Sequence, residues 1–138
     1  MSWLLAAFLS ALFAGLTAIL AKIGIAGVNS NLATAIRTIF VLVFAWAIVF
    51  WQGRASEIGT LSSKTWLFLI LSAVATALSW LFYFYALKIG AASRVGPIDK
   101  LSMVFTVVLA ALFLGETLTI KIIIGTVLMA VGAIVIAW

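Results

Sequence analysis

Apolar residues dominate this chain, and four short polar breaks divide them into five runs. The runs occupy about 3–21, 32–51, 66–87, 95–114 and 120–137. Each approaches the roughly 20 mostly apolar residues that carry a helix across the hydrocarbon core of a bilayer. The pattern predicts an all-α polytopic membrane protein, a compact bundle of five transmembrane helices in one domain over 1–138, with no room for a separate soluble domain. Asn29, Ser30 or Asn31 is placed to cap the second helix. The segment 52–65, the most polar in the chain, reads as a loop at the membrane surface. Gly96, the single proline Pro97 and the pair Asp99 and Lys100 fall in the first turns of the fourth run, so that helix is expected to start irregularly. The connections after the first, third and fourth runs are short enough to make sequential helices antiparallel neighbours.

Trp3, Trp51 and Trp66 fall at one membrane face and Tyr83, Tyr85 and Trp138 nearer the other, as aromatic belts would place them. The opening run has no base before Lys22 and is long enough to span, so it reads as a retained first helix and not as a signal peptide.

Composition agrees with this pattern. Hydrophobic residues make up 67% of the chain and charged residues 8%, and the mean hydropathy is +1.41, far outside the range of soluble domains. The formal charge of +5 comes from bases scattered singly near span ends, where they snorkel to lipid headgroups. Membrane lipid is therefore the expected surface partner. Basic runs are missing, and nucleic acid is not an expected partner. With no Cys and no His, disulfides, thiol chemistry and the usual zinc sites are excluded. Neither a metal nor another cofactor is expected, and no nucleophile has an adjacent base, so the chain does not read as an enzyme.

The face holding the first residues carries Arg54, Lys64 and Lys121 in its loops, and the opposite face carries Lys22, Lys88 and Arg94. Three bases against three give the positive-inside rule no clear vote. Two readings follow: one weak orientation, or copies inserted both ways that pair as an antiparallel dimer in the manner of an inverted repeat.

Charges inside spans are expensive and usually face a bundle interior or a water-filled cavity. Arg37 lies inside the second span, and Asp99 and Lys100 lie inside the fourth. An Arg37 to Asp99 pair that merely pins two helices is one reading. A site in which Arg37 or Lys100 attracts an anionic or zwitterionic solute is the other. Pro97 fits a cavity, where freed backbone is tolerated, but also an ordinary helix start. Trp80 and Tyr83 share a helical face with Phe84 and fit either a cavity lining or an interfacial anchor. Small residues recur at packing spacing, among them Gly125 and Gly132 in the fifth span, which fit contacts inside one bundle or with a second subunit.

Several segments carry a resemblance over the whole chain: GPIDKLS at 96–102, LFLGETLT at 112–119 followed by Gly125, NSNLATAIR at 29–37 and LFYFYAL at 81–87. On these the chain resembles a single EamA-type unit of the drug/metabolite transporter superfamily. The resemblance implies a transporter of small metabolites or amino-acid-like solutes, commonly an exporter, in a bacterial or archaeal cytoplasmic membrane. Most relatives of that type carry two units in ten spans and this chain carries one, so the resemblance implies a partner unit, with a homodimer the simplest form. The alternatives are a small multidrug resistance-like exporter, whose first-span glutamate has no counterpart at 3–21, and a non-transporting subunit that stabilises or regulates a larger complex.

Overall fold

The computed structural model describes residues 2–138, and every regular element among them is helical. Five segments are long and apolar enough to cross a membrane. They are α1 (Trp3–Gly24), α2 (Ser30–Trp51), α3 (Ser63–Ile89), the consecutive helices α4 (Ala92–Asp99) and α5 (Ser102–Leu114), and α6 (Ile120–Ala137). A 3₁₀ turn, Ala55–Thr60, lies between α2 and α3, with Arg54 and Glu57 joined in an exposed ion pair. The all-α, five-span membrane architecture expected from the sequence is the one observed.

Helix lengths follow from the thickness they must cross. The 22 residues of α1 and of α2 reach about 33 Å at ~1.5 Å per residue, against a hydrocarbon core of about 30 Å. The 27 residues of α3 exceed that thickness by about 10 Å. Its added turns hold Ser63 and Lys64 at one end and Lys88 at the other, so the surplus length is polar.

Large apolar side chains point outward along every span; Phe44 is 71% exposed and Phe113 80%. In water each such side chain would forgo roughly 1.5–3 kcal/mol of burial. Lipid removes that penalty, and the arrangement is the one a bilayer requires. The buried set is correspondingly sparse and includes small and polar residues: Ala18, Ala133, Ser30 and Thr34 join Ile25, Phe84 and Leu87.

The helix ends are fixed by local chemistry. Asn29 caps α2, its side-chain oxygen accepting from the backbone N–H groups of Asn31 at 2.9 Å and Leu32 at 3.2 Å, which satisfies two of the donors that a helix start leaves unpaired. Gly115 ends α5 in the left-handed region at φ 67°, where a side chain would be strained. The Thr119 hydroxyl then caps α6, accepting from Ile122 N–H at 3.3 Å.

The chain divides into two compact units. One combines α1 as far as Lys22 with Ile89–Trp138. Within it α6 packs along both α4 and α5, and Lys22 Nζ donates to the Gly90 carbonyl at 2.7 Å, tying the end of α1 to the connection before α4. The other unit is Ile23–Lys88 and contains α2 and nearly all of α3.

The fourth span is broken, as its composition predicts. Pro97 stands inside α4 without an N–H to offer the Ser93 carbonyl. After Asp99 the backbone tightens: Leu101 N–H donates to Ile98 at 3.0 Å, Met103 to Lys100 at 3.1 Å and Val104 to Leu101 at 2.9 Å. This i to i−3 pattern is that of a 3₁₀ turn, and it separates the two halves of the span.

Candidate functional site

Within the second unit a groove of about 480 Å³ runs between α2 and α3. Positions 31, 34, 35 and 38 of α2 face positions 69, 72, 73, 76, 77, 80 and 81 of α3, spacings that put each set on one helical face. The space exists because Ala35, Ala73 and Ala77 offer only a methyl group at its walls. Asn31, Thr34, Thr38, Ser72 and Thr76 give the groove a polar line.

The three threonine hydroxyls all donate to their own helix. Thr34 Oγ1 donates to the Ser30 carbonyl at 2.9 Å, Thr38 Oγ1 to Thr34 at 2.7 Å and Thr76 Oγ1 to Ser72 at 2.9 Å. Each proton is thereby committed to the preceding turn, while the oxygen keeps lone pairs able to accept. A groove of this kind offers acceptors to a solute's N–H and O–H groups inside an otherwise apolar wall.

Arg37 does not line the groove, but it lies against Trp80, which does. A helical side chain leans toward the start of its own helix, and the Arg37 guanidinium carbon lies 4.6 Å from the Trp80 ring centroid and 5.3 Å from that of Phe84. Trp80 and Phe84 are one turn apart on α3, so one cation lies against two rings, and their electron-rich faces compensate part of its charge. Tyr83 completes the cluster, its ring edge-on to Phe84 with centroids 6.1 Å apart. Arg37 Nη1 is buried and has no hydrogen-bond partner among the described residues.

The other sequence-selected residues lie in the first unit. Pro97 is inside α4, Asp99 is its last residue, and Lys100 opens the tight turn toward α5. Asp99 and Lys100 pair with each other, Lys100 Nζ standing 3.3 Å from Asp99 Oδ2. Gly125 and Gly132 lie on α6, and a Cβ added at either would meet no atom within 4 Å. Among the described residues nothing therefore exploits the close approach that these glycines permit.

Sequence reading found Arg37, Trp80 and Tyr83 but not Thr34, Thr38, Ser72 and Thr76. The signal was available: hydroxyls at 34 and 38 and again at 72 and 76 recur at i, i+4 in two spans and so form one polar stripe on each. What it lacked was the knowledge that these two stripes face each other.

Compared with known proteins, the chain matches the EamA-like transporter family over residues 1–138. A protein of Sinorhizobium sp named as an uncharacterised transporter in the cobO 3′ region is 48% identical over 136 residues, covering 99% of this chain and 96% of that relative. An uncharacterised protein of Methanocaldococcus jannaschii is 43% identical over 68 residues, about half of each chain. No solved structure matches. Both relatives are close to this chain in length, since the aligned residues cover nearly equal shares of the two partners.

Proposed function

This chain belongs to the EamA-like transporter family, a multi-pass membrane protein, and from that premise we propose that it exports small metabolites or amino-acid-like solutes as a homodimer across a bacterial or archaeal cytoplasmic membrane. The observation that carries the solute reading is the α2–α3 groove, where hydroxyl acceptors line a span beside Trp80, whose ring also lies against the Arg37 cation. Polar groups at that depth are tolerated where they serve a pathway or a partner. Trp80 and Tyr83 form the aromatic end of the pathway in this reading, and Arg37 its charged group. Asp99 and Lys100, at the break after Pro97, supply a second polar position in the span where backbone is freed from regular helix pairing.

Pairing is supported by relatives of the same single-unit length and by the exposed position of Gly132 on α6, where a second copy can approach closely, with Gly125, half-buried, on the same helix. Two copies in opposite orientation would supply the inverted repeat by which transporters alternate their access, and the balanced loop charges favour that form.

Purified protein reconstituted in liposomes tests the reading. Metabolites that accumulate outside overproducing cells, and inside cells lacking the gene, are loaded and their efflux is followed. The expected result is efflux above protein-free liposomes, lost in Asp99→Asn and Lys100→Ala variants that remain folded. Absence of any efflux, together with a stable partner of different sequence in pull-downs, would instead assign the chain to a larger complex.

A further inference from the structure

We infer that the α2–α3 groove takes an uncharged solute: a planar ring that lies along Trp80 and bears N–H or O–H groups, the chemistry of aromatic amides, phenols and neutral heterocyclic bases. The inference rests on the transporter reading and selects, among small metabolites, the class that its site can hold.

Three observations carry it. The first is what lines the groove. Among the described residues at its walls none is acidic or basic. On α3 the groove begins six residues after Ser63 and ends eight before Ile89, about 9 and 12 Å from the helix ends. A charged solute at that depth would give up its water for no counter-charge, a costly arrangement for any ion in hydrocarbon. The second is the direction of the hydrogen bonds. Thr34, Thr38 and Thr76 have given their protons to the backbone, so each presents lone pairs and takes a donor. A carboxylate or phosphate oxygen faces lone pairs there, whereas an amide N–H or a hydroxyl is met. The third is Arg37. Its guanidinium lies 4.6 Å from the Trp80 ring centroid, and it takes part in neither of the ion pairs formed by Glu57 and Asp99. A positive charge thus stands behind the aromatic wall and opposes a second cation in the groove. An anion gains little from it, because Nη1 is buried and out of hydrogen-bond reach. Acceptors turn anions away and Arg37 turns cations away, which leaves the uncharged donor.

The rest of the groove defines the body of the solute. The Trp80 indole supplies a flat surface at its wall, on which a second ring stacks in an offset arrangement. Ala35, Ala73 and Ala77 leave room beside it for that ring. Thr34 and Thr38 on α2, like Ser72 and Thr76 on α3, are one turn apart, about 6 Å along the axis. Donors on opposite edges of one ring system can therefore be taken by the two helices together. Ser72 and Asn31 also line the groove and carry groups that donate as well as accept, which suits the carbonyl of an amide or a ring nitrogen. A volume of about 480 Å³ falls in the range of small-molecule sites.

Protein purified in maltoside, a detergent without charged groups, is heated with indole-3-acetamide, indole-3-acetate and tryptamine, and with nicotinamide beside nicotinate. Each set shares one ring and differs in charge at neutral pH. At least one amide is expected to raise the unfolding temperature, half-saturating at a concentration about tenfold or more below that of its charged counterparts. Thr38→Val and Thr76→Val should each weaken that amide about threefold, as loss of one neutral hydrogen bond implies, with little change in the unfolding temperature of the free protein. Thr38→Ser, which keeps the hydroxyl, should bind like the original. Arg37→Gln should bring tryptamine closer to the amide by removing the opposing charge, and if that variant does not fold the threonine variants carry the test. No response to either amide, an equal or stronger response to an anion or a cation, or an unchanged response in both valine variants overturns the assignment. Tryptamine still excluded by a folded Arg37→Gln protein overturns the part given to Arg37. Liposome efflux distinguishes the two levels. Efflux confined to charged solutes removes the uncharged class and leaves the transporter, whereas amide binding with no efflux of any solute removes the transporter and leaves the site.

Discussion

A guanidinium in hydrocarbon is stable only if something replaces water, and at Arg37 two rings do so. Trp80→Leu keeps an apolar side chain of moderate size but removes the better of those faces. The expected cost is about 1 kcal/mol, within the 0.5–2 kcal/mol of a partly desolvated cation–π contact, measured by unfolding in mixed micelles, and efflux should fall because the ring also lines the groove. Thr38→Val separates the two kinds of effect. It removes a hydroxyl whose proton goes to the preceding turn, so stability should change by no more than about 1 kcal/mol, while the groove loses one acceptor and the preference among solutes shifts away from those that donate hydrogen bonds. Arg37 was legible in the sequence because a charge inside an apolar run has few bland explanations. Thr34, Thr38, Ser72 and Thr76 were not, because a hydroxyl in a membrane helix can always bond its own backbone, and only the juxtaposition of α2 and α3 gives those positions a second meaning.

Helices were legible where an apolar run met a polar break, and less so at their ends. The run 66–87 is contained in α3, Ser63–Ile89, because hydropathy marks the part of a helix that lies in hydrocarbon while backbone hydrogen bonding continues through Ser63, Lys64 and Lys88. The fourth span shows the converse. One apolar run holds two helices, and Pro97 with its charged neighbours was the only local sign of it. Pro97→Ala should restore an N–H opposite the Ser93 carbonyl, raise stability by about 1 kcal/mol and increase hydrogen-exchange protection between 97 and 101; unchanged protection would mean that the tight turn at 100–104 does not depend on the proline. At the far end of the span Gly115 adopts φ 67°, and the Glu116 N–H reaches back to Ala110 at 3.3 Å. Gly115→Ala is expected to destabilise by about 1 kcal/mol, although a Cβ there meets no neighbouring atom. The strain lies in the backbone, and a neutral result in the same unfolding assay would refute it.

For the whole molecule the decisive quantity is how many copies make one pathway and in which orientation. A unit with an odd number of spans is inverted when it is duplicated and fused, and the loop bases of this chain divide evenly, so neither insertion is strongly preferred. If α6 supplies the contact, Gly132→Leu places a bulky side chain where a second copy must approach, yet among the described residues of one chain that position is open. The variant should therefore stay folded while losing the dimer, a combination that separates an interface from an internal packing site and is read by crosslinking in the membrane. Orientation is read independently. The chain has no cysteine, so Ser56→Cys, in the exposed 3₁₀ turn between α2 and α3, introduces a single reporter without a background. An impermeant thiol reagent added to intact cells should label about half of the copies if the two orientations coexist in antiparallel pairs. Full labelling or full protection would fix one orientation, and a parallel pair would then have to alternate its access without an inverted partner.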